Sequence, residues 1–175
     1  MPKTPARQEV DDPKAYQKRM KSLLEGREPL EVLAATPDAL SAAIRGKSAA
    51  ELKRQPAPGK WSATQILGHL LDVEWVYGYR MRTILGDERP KIVSMDQDLW
   101  VAAQEHRDAD AKELAASHAA MRRVNLAFWR RIPKKAYDRV GLHDERGEES
   151  IGTLFWMLAG HDLNHLAQIR KVLGQ

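Results

Sequence analysis

The chain contains no cysteine among its 175 residues, and it has no long apolar run. Without cysteine there can be no disulfide, no thiolate nucleophile and no cysteine-type zinc site, so any bound metal must be held by nitrogen and oxygen. No apolar stretch approaches the length of about 18 residues that a membrane span needs. The N-terminal stretch MPKTPARQEVDDPKAY lacks the apolar segment of a secretory signal. We therefore expect a cytoplasmic protein without a membrane anchor.

A formal net charge of +4 raises the question of nucleic-acid binding. The charges interleave along the chain instead of forming one basic block. Arg122–Arg123 and Arg130–Arg131 fall on one predicted helix, where they are interpreted as a solvated face. No zinc-finger, RNP-like or basic-zipper pattern occurs. We therefore expect no nucleic-acid partner.

Helix start signals recur along the chain. Ser48 and Ser62 are each followed three residues later by Glu51 or Gln65, the pattern of a capping box. Thr36–Pro37 predicts a helix start, because proline suits the first helical position; it separates a helix that begins at Pro29 from one that runs to about residue 45. Further long helices are predicted from 62 to 86, from 108 to 132 and, capped by Ser150, from 151 to 173. Residues 139–147 allow at most a small hairpin.

Three or four long amphipathic helices with connections between them predict an all-α bundle. The chain length corresponds to about one domain. Bundles of this kind build metal sites from inward-facing side chains on neighbouring helices. The histidines are therefore the residues to examine.

His161 and His165 stand four residues apart in the last predicted helix, GHDLNHLAQI, and share one face of it. That face also carries apolar residues, so it should point into the core. Two buried imidazoles need partners, because an unsatisfied buried polar group costs about 1–3 kcal/mol. They could be core histidines with local partners, or they could bind a divalent metal with a third ligand from elsewhere. His69 is the best third candidate, since it lies on the apolar stripe of the helix from 62 to 86.

The connection from Asp87 to His106 is long for a turn between bundle helices. It mixes apolar residues with acids, which suits a segment packed over the mouth of a cleft. We expect it to border the metal cleft and to control access to it. The alternatives are packing on the outside of the bundle or a contact within a homodimer.

At this point the chain resembles the DinB/YfiT-like superfamily. The resemblance rests on GKWSATQILGHLLDVE and, near the C-terminus, on GHDLNHLAQI, and it extends from about Pro29 onward. It implies a four-helix bundle over 29–175, preceded by a partly helical extension over 1–28 that adds short N-terminal helices. It also implies a three-histidine metal site, with His69, His161 and His165 as ligands.

The resemblance implies zinc or nickel as the most favoured ions, although family members bind other divalent ions as well. The better-understood members are thiol S-transferases that use bacillithiol, mycothiol or glutathione. We therefore expect a metal-dependent S-transferase with a low-molecular-weight thiol cosubstrate and a small electrophile. A metal-dependent hydrolase and a non-catalytic metal-binding bundle remain open alternatives. As partners we expect a small-molecule substrate and a second copy of the chain in a homodimer.

Other residues are expected to support this site. Asp72 and Gln168 follow His69 and His165 by one turn, so either could orient the second ring nitrogen of a ligand, or could make ordinary surface or capping contacts. The predicted lining of the cleft consists of Trp61, Trp100 and His118. His106 and His143 lie in polar connections and are expected to face solvent. No acidic residue stands out as a general base.

Overall fold

The computed structural model describes residues 12–175, and most of these residues are helical. The helices are α1 (Pro13–Ser22), α2 (Pro29–Ile44), α3 (Ala49–Lys53), α4 (Ala63–Gly86), α5 (Gln97–Ala103), α6 (Ala111–Trp129) and α7 (Ile151–Val172). Helices α2 and α4 each pack against both α6 and α7. These four form the predicted all-α four-helix bundle. None of the helices described is long and apolar enough to cross a membrane.

The long helices begin where their caps predict. The Ser62 side chain accepts a hydrogen bond from the Gln65 backbone N–H, and the Gln65 side chain accepts one from the Ser62 N–H. The same reciprocal pair joins Ser48 and Glu51 before α3. Ser150 caps α7 by accepting from the backbone N–H of Thr153. Because each cap satisfies backbone donors that the first turn leaves free, these starts are local properties of the chain.

The predicted start at Thr36–Pro37 is wrong, because α2 continues through Pro37 as one helix. Proline has no N–H, so the Leu33 carbonyl four residues earlier loses its helical donor. The Nη1 group of Arg122 on α6 donates to that carbonyl at 2.7 Å instead. The Thr36 hydroxyl donates to the Val32 carbonyl at 3.0 Å. A hydrogen bond from another helix thus satisfies the carbonyl that the proline leaves free, and α2 continues as one helix.

A small sheet is formed by the connections between the bundle helices. Strands β2 (Val140–His143) and β3 (Gly147–Ser150) form the hairpin that residues 139–147 allowed. A third strand, β1 (Lys91–Ile92), pairs in parallel with β2 and was not predicted. It is only two residues long, so no alternating pattern reveals it. The sheet ties the connection after α4 to the segment before α7.

The apolar core of the bundle falls into two clusters. One cluster contains Val73, Trp129 and Leu158, and the other contains Leu70, Ala115 and Leu166. Between them, buried polar side chains from α4, α6 and α7 cross the bundle; we call this set the polar layer. Its members are His69, Asp72, Glu74, His118, Arg122, Asn125, His161, Asp162 and His165. The candidate metal ligands therefore belong to a larger polar region inside the bundle.

Helix α1 is part of the predicted N-terminal extension, of which residues 1–11 lie outside the described part. It packs against α7. The contact is so close at Gly160 that a Cβ atom there would lie 2.1 Å from the Met20 carbonyl oxygen. Only glycine allows the two backbones to approach in this way.

We expect Gly160→Ala to lower the free energy of unfolding by about 1–3 kcal/mol, because backbone atoms of α1 must move to admit the methyl group. Helix propensity alone predicts the opposite sign, a gain of about 1 kcal/mol. Gly152→Ala in the same helix is the matched control, since its nearest contact would be an ordinary 3.5 Å. Urea unfolding of the three proteins measures the difference. Equal stability of the two variants would contradict the close contact.

Candidate metal centre

Three histidines converge in the polar layer. His69 on α4 and His161 and His165 on α7 each offer a ring nitrogen, and these atoms all lie within 4.8 Å of one another. The Nε2 atoms of His69 and His161 are 3.0 Å apart. Two nitrogens that bind one ion at about 2.1 Å, with an angle of about 90° between them, are separated by about 3.0 Å. The spacing therefore fits a shared divalent ion.

All three imidazoles are held in the neutral form that a metal ligand needs. Burial and the neighbouring histidines lower the pKa of His69 and of His161 well below the usual value. Burial lowers the pKa of His165 to about 4. His69 is 1% exposed, whereas His161 is 7% and His165 is 8% exposed, so the two histidines on α7 account for most of the small solvent contact of the cluster.

A hydrogen bond orients one ligand, and the Nδ1 atoms of the other two have no partner. Nδ1 of His165 lies 2.8 Å from the side-chain oxygen of Gln168, which can only accept. The ring proton is therefore on Nδ1, and Nε2 keeps its lone pair for a ligand bond. The buried Nδ1 atoms of His69 and His161 have no hydrogen-bond partner. Each of these two rings therefore meets a polar protein group only at the Nε2 atom that faces the other ring. This arrangement fits two rings that share a bound cation.

Asp72 does not orient the ring of His69, which was one of the two roles predicted for it. Its carboxylate accepts hydrogen bonds from Gln104 at 3.0 Å and from His106 at 2.9 Å. The His106 ring lies against the α4 backbone at Gly68, where a Cβ atom would come within 2.3 Å of it. Asp72 thus fixes the end of the connection from Asp87 to His106 beside His69.

The ring of Trp61 forms one wall of the cluster. Its centroid lies 5.0 Å from that of His69 and 6.4 Å from that of His165, with the latter pair stacked. The Asp98 carboxylate on α5 lies near the Trp61 side chain. Burial, followed by the charge of Asp96, raises the pKa of Asp98, and the interaction with the Trp61 side chain acts in the opposite direction. The connection from Asp87 to His106 therefore contacts the wall of the cluster; its control of access stays a prediction.

Trp100 and His118 have contacts elsewhere in the structure, and their place in the lining of the metal cleft stays a prediction. Trp100 lines a separate cavity between α4 and α5, together with Trp75 and Tyr79. His118 is completely buried beside Arg122, with its Nε2 atom 3.4 Å from the guanidinium.

The largest feature missed from the sequence is the buried ion-pair network around Arg122. Its guanidinium contacts the Glu74 carboxylate at 2.6 Å and the Asp162 carboxylate at 2.8 Å. Arg122 is 1% exposed, so its interpretation as part of a solvated face is wrong. The sequence does contain a signal for this burial, because one stripe of the helix carries the mainly apolar or buried positions Ala115, His118, Arg122, Asn125 and Trp129. Asn125 donates to Glu74, and Asp162 directly follows His161 in sequence.

The two histidines expected to face solvent are also buried. His106 pairs with Asp72, as described above. His143 in β2 accepts from the backbone N–H groups of Glu145 and Arg146 in the hairpin turn. A position in a polar connection reveals neither set of partners, because Asp72 is 34 residues away and the partners of His143 depend on the shape of the turn.

We expect His118→Gln to lose less stability than the wild-type chain when the pH falls from 7 to 5. Burial, together with the charge of Arg122, lowers the pKa of His118 to about 4. The unfolded chain, with a histidine pKa near 6.5, binds this proton first, so acid favours unfolding by about 2 kcal/mol over that interval. Glutamine removes this contribution. Urea unfolding at the two pH values measures it, and an unchanged pH dependence would show that His118 binds its proton equally well in the native and the unfolded chain.

Comparison with known proteins gives a family and a fold. The model of the DinB superfamily matches residues 33–169. OB0413 of Oceanobacillus iheyensis is 26% identical over 126 residues, which cover 70% of each protein. YfiT of Bacillus subtilis is 21% identical over 150 residues, which cover 83% of this chain and 84% of YfiT. Both relatives carry names that describe candidate metal-dependent hydrolases.

The solved structure of Bacillus subtilis YfiT shares this fold. It superposes with a TM-score of 0.77 at 19% identity, over 95% of this chain and 90% of YfiT. That structure is described as a four-helix bundle of unusual topology. The comparison therefore supports the arrangement of helices that brings the three histidines together.

Proposed function

The chain belongs to the DinB superfamily, and on that premise we propose that it is a metal-dependent thiol S-transferase acting on small electrophiles. The observation that carries the proposal is the cluster of His69, His161 and His165, buried, neutral and spaced for one ion. Three neutral ligands leave a divalent ion its full charge and at least one free coordination position, as in catalytic sites. Imidazole ligands suit zinc and nickel among other ions.

The chain's own residues would hold and orient the reactants. The three histidines would bind the ion, with Gln168 fixing the ring of His165. A divalent ion bound there would supply positive charge that lowers the pKa of a bound thiol or water. Trp61 presents an apolar wall beside His69, where the carbon part of an electrophile can pack.

The nucleophile would come from outside, because the chain has no cysteine. In the overall reaction a sulfur–carbon bond forms, the leaving group departs with the electron pair, and the thiol proton passes to solvent. A free thiol has a pKa near 8.5, whereas bulk water has one near 15.7. A thiol therefore needs a much smaller pKa shift than water to react at neutral pH, which favours the transferase over a hydrolase.

A metal-dependent hydrolase is the second candidate. Two observations favour it: the names of the relatives and the position of Asp98. The Asp98 carboxylate lies against Trp61, and its raised pKa suits a group that accepts and returns a proton. In this alternative Asp98 would take a proton from a water molecule that attacks the substrate.

Parallel assays with thiol and ester substrates would separate these functions. The metal-loaded chain would be incubated with 1-chloro-2,4-dinitrobenzene and a panel of low-molecular-weight thiols, and separately with p-nitrophenyl acetate. The proposal expects thiol-dependent conjugation that His161→Ala lowers by at least 100-fold. His143→Asn is the matched control, because His143 is buried outside the cluster and asparagine keeps an acceptor for the hairpin.

The other outcomes decide against the proposal. Ester hydrolysis without conjugation, lowered by both His161→Ala and Asp98→Asn, would support the hydrolase. Stabilisation by metal without turnover of any substrate in the panel would support a non-catalytic metal-binding bundle.

A further inference from the structure

A second cavity, of about 270 Å³, lies between the outer face of α4 and the segment that leads into α5. Its walls are almost entirely apolar and include Trp75, Tyr79, Val93, Met95 and Trp100. None of the three clustered histidines lines it. Its volume is near the lower end of the range for small-molecule sites. The lining residues on α4 follow His69 by six to eleven positions, or about 9–16 Å along the helix axis.

Large apolar side chains at this cavity are unusually exposed. Trp75 is 60% exposed, Tyr79 is 62%, Val93 is 68% and Trp100 is 41%. Contiguous exposed apolar surface of this kind usually marks a binding site. Aromatic walls with a few polar groups are typical of sites for small molecules.

The cavity also contains one buried cation, Arg80, which is only 4% exposed. Its Nη2 group donates to the Val93 carbonyl at 2.6 Å and lies 3.3 Å from Nε2 of His143. Its Nε–H group is buried and has no hydrogen-bond partner. A buried donor without an acceptor is costly, so this group is a candidate donor to an anionic ligand.

No carboxylate neutralises Arg80 within the described part of the chain. Glu149 is bound on both carboxylate oxygens by Arg146. Asp144 accepts from the Ser94 backbone and is half exposed. Burial and the charge of Arg146 lower the pKa of Arg80, with Tyr77, Glu149 and Asp144 opposing this only in part. The positive charge is therefore available for a ligand.

We propose that this cavity binds a small amphipathic anion, such as an alkyl or aryl carboxylate. The carboxylate would accept from Arg80, and the hydrocarbon would pack between Trp75, Tyr79 and Trp100. A charged hydrogen bond to a desolvated guanidinium gives the anion its advantage over a neutral molecule of the same shape. The site uses neither the metal ligands nor the proposed reaction.

Binding of octanoate to the metal-free full chain tests the proposal, with octan-1-ol and acetate as comparison probes. Isothermal titration calorimetry gives the affinities, and the fluorescence of Trp75 and Trp100 reports occupancy of the cavity. We expect octanoate to bind at least tenfold more tightly than either comparison probe. Arg80→Gln should weaken octanoate at least tenfold and leave octan-1-ol unchanged, since glutamine keeps a donor for Val93.

Val93→Asp provides a second variant if Arg80→Gln fails to fold, because Val93 is exposed and aspartate would repel an anion at the mouth. It should weaken octanoate but not octan-1-ol. Val124→Ala, at an exposed apolar position on α6, is the matched control and should change neither affinity. Equal binding of octanoate and octan-1-ol would overturn the proposal. So would a dimer that Trp75→Ala dissociates and that excludes octanoate, since the surface would then be a subunit interface.

Discussion

Saturating zinc or nickel should raise the melting temperature of the wild-type chain by about 10 °C, and His161→Ala should remove most of this increase. An ion that binds only the folded state, at about 1,000 times its dissociation constant, adds about 4 kcal/mol of stability. For a protein of this size each kcal/mol corresponds to about 2–4 °C. The folded chain holds the three ligands within 4.8 Å, whereas the unfolded chain separates His69 from His161 by 92 residues.

Differential scanning calorimetry with and without the ion measures this effect. His143→Asn should keep the full metal-dependent increase, because His143 is a buried histidine that lies outside the cluster. The metal-free His161→Ala protein should remain largely helical. The same increase in the variant with alanine at His69, His161 and His165 would show that the ion binds elsewhere.

Arg122→Met should lower the free energy of unfolding by about 3–5 kcal/mol. Removing one partner of a buried ion pair leaves the other charge without compensation in a low-dielectric interior. Here two carboxylates, Glu74 and Asp162, would lose their cation at once, and the Leu33 carbonyl would lose its hydrogen-bond donor. Arg123→Met is the matched control, because Arg123 is exposed and should change stability by less than about 0.5 kcal/mol.

A second set of variants tests the electrostatic explanation of the Arg122 effect. Adding Glu74→Gln and Asp162→Asn to Arg122→Met removes the uncompensated charges, so part of the lost stability should return. Urea unfolding gives the free energies for this comparison. If Arg122→Met costs no more than Arg123→Met, or if neutralising the two carboxylates restores nothing, the network does not stabilise the fold in this way.

The parts predicted correctly depend on short-range rules. Ser62 and Ser150 begin helices because their side chains bind backbone donors three residues away. His161 and His165 meet because residues four apart share a helix face. His69 could be added because its stripe identifies the face turned toward the core. For these features, local geometry was sufficient to indicate the tertiary arrangement.

The parts predicted incorrectly depend on partners far along the chain. Arg122 was predicted to lie on a solvated helix face, yet its hydrogen-bond partners are 40, 48 and 89 residues away along the chain. Such contacts follow from how the helices pack, which one sequence does not show by itself.

Pro37 illustrates how a redesign based on helix propensity could mislead. Such a redesign would replace this proline with alanine and expect a gain of about 3 kcal/mol in a helix interior. As an isolated peptide, residues 29–44 would indeed become more helical. In the intact chain, however, the new N–H would compete with Arg122 for the Leu33 carbonyl at the centre of the bundle. The carbonyl that proline leaves free is an attachment point for α6, so the gain in the protein should be smaller than in the peptide.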